Sequence, residues 1–353
     1  MNKIKVGIVG SGSISNFHLR AYHNNKQTEL YAICDLNEER AKSQADLYQI
    51  GQIYTDFAQM IANPDIDAIS ICTWNNTHAE FAIRALDAGK HVLVEKPLCM
   101  TVEEALQVEE AVRRSGKQLQ IGYVRRYDPN AQMVRQWTEG GELGTIYYAK
   151  ASCLRRLGNP GGWFADKERS GGGPLIDLGV HIIDLCWFLM GRPKVKSISG
   201  NTYRKLGQRS HVQNLSFYKS ADYNPEHNTV EDMANALIRF DNGASLMVDV
   251  SFTLHARKDE TSIRLYGDKG GMEIEPEIAL ISEKSNTMVV VQPQTDHPSF
   301  DADRAFQNEI DHFINCCLLG SSPLSPVQDG VEMMKILCGI YESAEQGKEI
   351  YFS

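Results

Sequence analysis

KIKVGIVGSGSIS, residues 3–15, decides the fold. Residues 3–9 alternate and then turn wholly apolar, the pattern of a strand buried on both faces. Gly10-Ser11-Gly12-Ser13-Ile14-Ser15 then opens a helix expected to reach about residue 25. Gly10 permits a tight turn, and Gly12 lets backbone approach a pyrophosphate. The N–H groups at the helix start, around Ser13 and Ile14, face that anion. Ser15 stands where Gly or Ala is usual and is small enough for close helix–strand packing. A Gly-x-Gly alone is weak, but a second strand, 29–34, follows and ends in Asp35. An acid at this spacing suits the hydroxyls of an adenosine ribose. No Arg or Lys follows at once to take a 2′-phosphate, so NAD is expected rather than NADP, with Arg40 the residue that opposes this.

The alternation of strand and helix continues. Residues 38–48 read as a helix, Tyr54-Thr55-Asp56 leads a short helix to 62, and 67–72 is a buried strand. A polar loop is expected over 73–78, a helix over 79–88 and a strand over 91–94. Thr101 with Glu104 forms a capping box for a helix to 115, and 119–122 is a sixth strand. A doubly wound parallel sheet binds ligands beyond the carboxyl ends of its strands. That places Thr73, Asn75, Glu95, Lys96 and Tyr123 at one crevice. Lysines usually snorkel to solvent. Lys96 sits between Glu95 and Pro97 at a strand end, on the backbone that a following proline restricts.

GGGPLIDLGVHIIDLCWFLMG, residues 171–191, is the other informative stretch. Glycines and Pro174 feed a helix that Gly191 and Pro193 end. At about 100° per residue, Asp177, His181 and Asp184 fall on one stripe. A carboxylate one turn from an imidazole fixes its tautomer and raises its basicity, as a general base requires. Taken alone, the pair reads more simply as a structural contact. One His without a second His or Cys nearby makes a thin ligand set, so no metal is expected.

The chain has 353 residues, 42% hydrophobic and 23% charged, which suits a globular protein of two domains. The boundary is expected at 123/124, with a Rossmann domain over 1–123 and a substrate and oligomerisation domain over 124–353. A net charge of −9 argues against nucleic acid. No apolar run approaches the ~20 residues that cross a bilayer, so no membrane partner is expected. The N-terminus enters a strand at once, without a signal peptide. The eight cysteines form no Cys-x-x-Cys pair and read as reduced thiols of a cytoplasmic protein.

Beyond Pro129 a helix to about 139 and a strand over 146–154 are expected, then an irregular glycine-rich stretch over 155–174. Trp163 and Phe164 there either stack on a sugar ring or anchor the loop. After Gly191 the period becomes two, with strands over 195–203, 230–240, 244–252, 261–266, 271–274, 278–282 and 288–292. Strands in succession make a largely antiparallel sheet in an α+β domain. Helices over 299–319 and 327–345 close the chain, and 204–226 is a long excursion that reaches toward a site.

Six stretches carry a family resemblance: GIVGSGSISNFH (7–18), ICDLN (33–37), CTWNNTHAEFA (72–82), VLVEKPL (92–98), GYVRRYDP (122–129) and LIDLGVHIIDL (175–185). Through them the chain resembles the glucose–fructose oxidoreductase / inositol dehydrogenase / rhizopine-catabolism (Gfo/Idh/MocA) family. The half after Met190 matches best at VEDMANALIRFDNGA (230–244). The resemblance implies Lys96, Asp177 and His181 as catalytic residues and a cis Pro97. It also implies a 73–78 loop, His78 included, at the nicotinamide; Trp74 replaces the proline of many relatives. The expected reaction passes hydride between NAD and a secondary hydroxyl of an inositol, sugar or glycoside. His181 takes the proton, and Lys96 holds the reacting oxygen. Tyr123, Arg126, Trp163, Asp177, His181 and Asp184 are the candidate substrate contacts. Two other readings remain: transient oxidation with tightly held NAD for glycoside cleavage or epimerisation, and a non-catalytic NAD-binding sensor. Family members commonly pair through the open sheet face, which implies a homodimer or homotetramer.

Overall fold

The computed structural model describes residues 3–352 except 210, 213, 216–218, 222 and 223, so those parts of the 204–226 excursion lie outside the described residues. The chain divides into two compact units, residues 1–127 with 302–334 and residues 128–301 with 335–353. The segment 302–334, which a boundary at 123/124 would assign to the second domain, clusters with the first.

The first unit alternates β1 (Ile4–Val9), α1 (Ser15–Asn24), β2 (Thr28–Cys34), α2 (Glu38–Tyr48), β3 (Gln52–Tyr54), α3 (Phe57–Ala62), β4 (Ala68–Ile71), α4 (Asn75–Asp87), β5 (His91–Glu95), α5 (Val102–Ser115) and β6 (Leu119–Gly122). The strands lie in the order β3-β2-β1-β4-β5-β6, every pairing parallel. The chain reverses direction across the sheet between β1 and β4, the position where such sheets bind ligands. Local chemistry sets the helix starts. Asn37 and Asp56 accept the N–H groups of Arg40 and Ala58, and Thr101 with Glu104 closes the expected capping box. β4 and β6 are buried along their whole length, which is why they read as apolar runs rather than alternations.

One expectation fails in this unit. Residues 75–78 are not loop: α4 begins at Asn75 and carries Thr77 and His78 in its first turns. Asn and Thr serve helix starts as readily as loops, so composition did not separate the two.

The second unit holds α6 (Pro129–Glu139), β7 (Ile146–Leu154), α7 (Lys167–Ser170), α8 (Val180–Leu189), β8 (Val195–Tyr203), β9 (Met233–Phe240), β10 (Ser245–Ser251), β11 (Glu260–Gly267), β12 (Gly270–Glu275), β13 (Ala279–Lys284) and β14 (Thr287–Val291). α9 (Ala302–Leu319), α10 (Val327–Gln346) and β15 (Ile350–Tyr351) complete the chain. α9 places Ile310, Phe313 and Ile314 in one cluster with Val6, Ile8, Leu19 and Leu93, which is why 302–334 belongs to the first unit. The nine-stranded sheet runs β14-β13-β12-β11-β7-β10-β9-β8-β15, antiparallel apart from the β7–β10 pair. Alternation sorts its faces. Ala149, Leu246, Ile238 and Leu265 are buried, while Tyr148, Met247, Leu237 and Tyr266 on the other face keep exposure.

The helix of 171–191 has a joint that the 3.6-residue period does not foresee. A π-helical turn, Leu175–Gly179, precedes α8. The run Lys167–Leu189 is, moreover, long and apolar enough to cross a membrane by length and composition, contrary to the reading of the sequence. Of its apolar window, 83% is buried in the fold, as in a core helix.

Candidate active site

The carboxyl ends of β1 and β2, within the first unit, form a candidate nucleotide-binding turn. Gly10 has φ +90°, and a Cβ there would collide with the Cys72 carbonyl, so only glycine fits the turn. An added Cβ at Gly12 meets nothing within 4 Å. Among the described residues no packing contact requires a glycine there. α1 begins without a side-chain cap and without an acid in its first turn, so its N–H dipoles suit an anion.

Asp35 lies at the end of β2. Its Oδ2 accepts the Ser11 N–H and hydroxyl, each at 2.7 Å, and its Oδ1 accepts the Asn37 N–H at 2.7 Å. Burial pushes this carboxyl up, but the Ser11 hydrogen bonds outweigh it and hold it below its ordinary value. Arg40 stands 3.6 Å from the same carboxylate. The turn, the open helix start and the oriented acid fit a dinucleotide.

The Lys96–Pro97 peptide at the end of β5 is cis. From Val92 to Cys99 every residue is buried except Lys96. Glu95 beneath it points inward. Its Oε2 accepts the Lys96 N–H at 3.1 Å, and its Oε1 pairs with His18 Nε2 at 2.8 Å. His18, fully buried on α1, also bonds Ser70 on β4 through Nδ1 at 2.8 Å. Burial pushes the imidazole down, but Cys72 and Glu95 outweigh it and raise its pKa well above the ordinary value. Glu95 is thus an internal strut between Lys96 and α1. His18 went unassigned from the sequence, although the quoted 7–18 stretch ends on it.

The neighbouring positions are equally committed. His78 is buried and ties the loop together, Nδ1 to the Pro97 carbonyl at 2.7 Å and Nε2 to that of Thr73 at 3.2 Å. Burial lowers its imidazole pKa. Thr73 shares a hydroxyl–hydroxyl bond of 2.7 Å with Thr77, and Asn75 is buried at the start of α4. Tyr123 is also buried, with the Arg126 guanidinium over its ring at 5.0 Å. The expectation that Arg126 contacts substrate needs correcting. Its side chain has no exposed surface, and its Nη1 is bonded to Asp329 and to the Leu324 carbonyl.

The second unit carries Asp177 and His181. Along Leu175–Leu189 every residue is buried except Asp177 and His181. Asp184, equivalent by helical spacing, is 1% exposed and faces the core. The acid–imidazole pair therefore stands alone on a helix otherwise committed to packing, with Asp177 on the π turn and His181 on α8. π-helical turns are frequent at functional sites.

A buried carboxylate holds the entry to this helix. Glu231 accepts the N–H of Gly173 at 3.0 Å, the N–H of Leu175 at 3.2 Å and the Tyr341 hydroxyl at 2.8 Å. A side chain at Gly172 would strike the Tyr341 hydroxyl, and one at Gly173 the Glu231 carbonyl. That explains the glycine run. Glu231 also lay in a quoted stretch without a role. Trp163 is half-buried and stacks on Phe164 with ring centroids 4.1 Å apart, so one face of its indole is taken.

Comparison with known proteins agrees with this architecture. A family model described as an oxidoreductase family with an NAD-binding Rossmann fold matches residues 4–123, and the Gfo/Idh/MocA C-terminal domain matches 131–273. A D-glucoside 3-dehydrogenase of Escherichia coli (strain K12) is 30% identical over 350 residues, covering 98% of this chain and 97% of its own. A myo-inositol 2-dehydrogenase of Thermotoga maritima is 24% identical over 354 residues, 98% of each chain. The crystal structure of an oxidoreductase domain protein from Kribbella flavida matches the fold with a TM-score of 0.87, at 24% identity over 100% of both chains. The turn at Gly10, the six-stranded parallel sheet and matches along both units lead to one conclusion: this chain belongs to the Gfo/Idh/MocA family and is an NAD-dependent oxidoreductase.

Proposed function

We propose that the protein is a dehydrogenase that oxidises one secondary hydroxyl of a cyclic polyol, sugar or glycoside to the ketone. The observation that carries this reading is that Asp177 and His181 alone reach solvent from an otherwise buried helix. A carboxylate and an imidazole are what removal of a hydroxyl proton needs. The relatives named D-glucoside 3-dehydrogenase and myo-inositol 2-dehydrogenase support a ring polyol as substrate.

In this reading NAD, when bound, would supply the acceptor for the hydride of the carbinol carbon. The hydroxyl proton passes to His181, and the Asp177 carboxylate stabilises the imidazolium and fixes the ring's tautomer. The Lys96 ammonium donates to the reacting oxygen and favours its alkoxide character. Gly10, Gly12, Ser13 and Ile14 would hold the pyrophosphate, and Asp35 the adenosine ribose. Thr73 and Asn75 would border the nicotinamide. Asp184, buried, braces the helix, and Trp163 offers its free ring face to a sugar. Two copies pair through the sheet face of Tyr148, Met247 and Tyr266, which sedimentation would reveal as a dimer or tetramer.

A screen of inositols, aldoses and glycosides with NAD and with NADP, read by absorbance of the reduced nicotinamide, tests the reading. It expects turnover of at least one ring polyol with preference for NAD. Failure of all three classes at saturating NAD would overturn it.

A further inference from the structure

We infer that Glu231 is a positioning residue for the Asp177–His181 pair, acting through the backbone at the entry of their helix. The inference rests on the role of that pair proposed above.

Glu231 is 3% exposed, so it cannot itself meet a substrate. Its carboxylate instead collects the Gly173 and Leu175 N–H groups and the Tyr341 hydroxyl. The two N–H groups belong to the entry of the π turn, where a helix has donors with no partner of its own. The same residue that gives its N–H to Glu231 gives its carbonyl onward: Gly173 O accepts the Asp177 N–H at 3.0 Å. One hydrogen-bonded path thus runs from the buried carboxylate through Gly173 to the backbone of Asp177. His181 follows one turn later.

Three features suit this arrangement to setting a position. A negative charge at a helix N-terminus is favourable there. A buried carboxylate must keep its hydrogen bonds, because leaving it without them is costly. And bare glycines at 172 and 173 let Tyr341 and Glu231 approach the backbone where any side chain would collide. Burial of the Tyr341 hydroxyl, together with Glu231, raises its pKa, so it remains a donor. The joint between π and α geometry falls between this anchor and His181. The anchor therefore fixes the orientation of the turn that carries Asp177 and leads into His181.

The test uses the full-length protein as Glu231→Gln, Glu231→Ala and Tyr341→Phe. The Gln variant keeps shape and part of the acceptor capacity, and Tyr341→Phe leaves both N–H partners in place. In folded protein, Glu231→Ala is expected to lose about 10²-fold in kcat, the scale of a misplacement near 1 Å. Glu231→Gln should lose less, and Tyr341→Phe least, with KM and NAD affinity by fluorescence quenching unchanged in all three. Should Glu231→Ala not fold, the other two carry the test. A second readout is independent of turnover: the His181 imidazole NMR signals, assigned by their loss in His181→Gln, should move in Glu231→Gln. Wild-type kcat and unmoved His181 signals in folded Glu231→Gln would overturn the inference. A wild-type protein without polyol dehydrogenase activity would instead overturn the functional reading, while the NMR comparison still decides the role of Glu231.

Discussion

Lys96 and the Asp177–His181 pair solve the same problem by different means. Each is a polar group emerging alone from a buried element: Lys96 from the residues around the end of β5, the pair from the π turn and α8. Lys96 is braced through its own backbone N–H by Glu95, whose carboxylate is in turn paired with the buried His18 of α1. The pair is also braced through backbone, but by Glu231, whose partners are peptide N–H groups and the Tyr341 hydroxyl. The first bracing is a buried ion pair, costly to break from one side; the second is a set of hydrogen bonds to neutral donors. The difference teaches where damage should appear. Disrupting the Lys96 support should unsettle the fold of its unit, and disrupting the other should leave a folded protein with a misaligned base.

The largest expected effect is on chemistry. His181→Ala should lower kcat by roughly 10²–10⁴, the range for a general base, with NAD binding unchanged. An unchanged kcat would remove the pair from the reaction. Next comes the strut. Glu95→Ala removes the buried partner of His18 and the acceptor of the Lys96 N–H, and should cost roughly 3–5 kcal/mol in a denaturant titration. A loss near zero there would erase the contrast between the two regions. Asp35→Asn should weaken NAD binding by roughly 1.5–3 kcal/mol, the worth of a hydrogen bond to a charged acceptor, read by fluorescence titration. Its effect on NADP should be smaller, which sharpens the assignment of this acid to the ribose.

The smallest effect concerns pH. Burial first, then Lys117, pushes the His91 imidazole from 6.5 down to about 4. The unfolded chain therefore takes up this proton below about 6.5 while the folded chain refuses it. The stability of the first unit should be full above pH 6.5 and fall as pH drops toward 4. In His91→Gln the slope of unfolding free energy against pH over that window should flatten. His18 has the opposite sign, since its pKa is raised. Its stabilising contribution is present below about 6.5 and is lost only as pH rises through the folded value.

Much of this was legible in the chain. The parallel sheet announced itself through apolar strands, the glycine turn and the Thr101–Glu104 box, because each is a local signal. Lys96, Asp177 and His181 stood out as polar residues in apolar company, and burial leaves those three as the exposed members of their runs. Other features depend on contacts distant in sequence. Arg126 looked available until Asp329, 203 positions on, is seen to hold it. Asp184 fell on the stripe of its neighbours, yet it stands three residues from His181, about 60° around the regular helix α8, and that offset turns it into the core. His18 and Glu231 were in view, but nothing local reveals that one lies under Glu95 and the other at the start of a helix 56 residues before it. The short β15 and the grouping of 302–334 with the first unit are long-range facts of the same kind.

Direct hydride transfer from a ring carbinol to NAD, as proposed above, can be followed atom by atom. The most direct measurement uses a polyol or glycoside accepted in the screen, deuterated at the oxidised carbon, with excess NAD over many turnovers. The account predicts one deuterium in free reduced nicotinamide for every ketone formed. Reaction of the substrate with no net reduced cofactor, or reduced cofactor without deuterium, would contradict it.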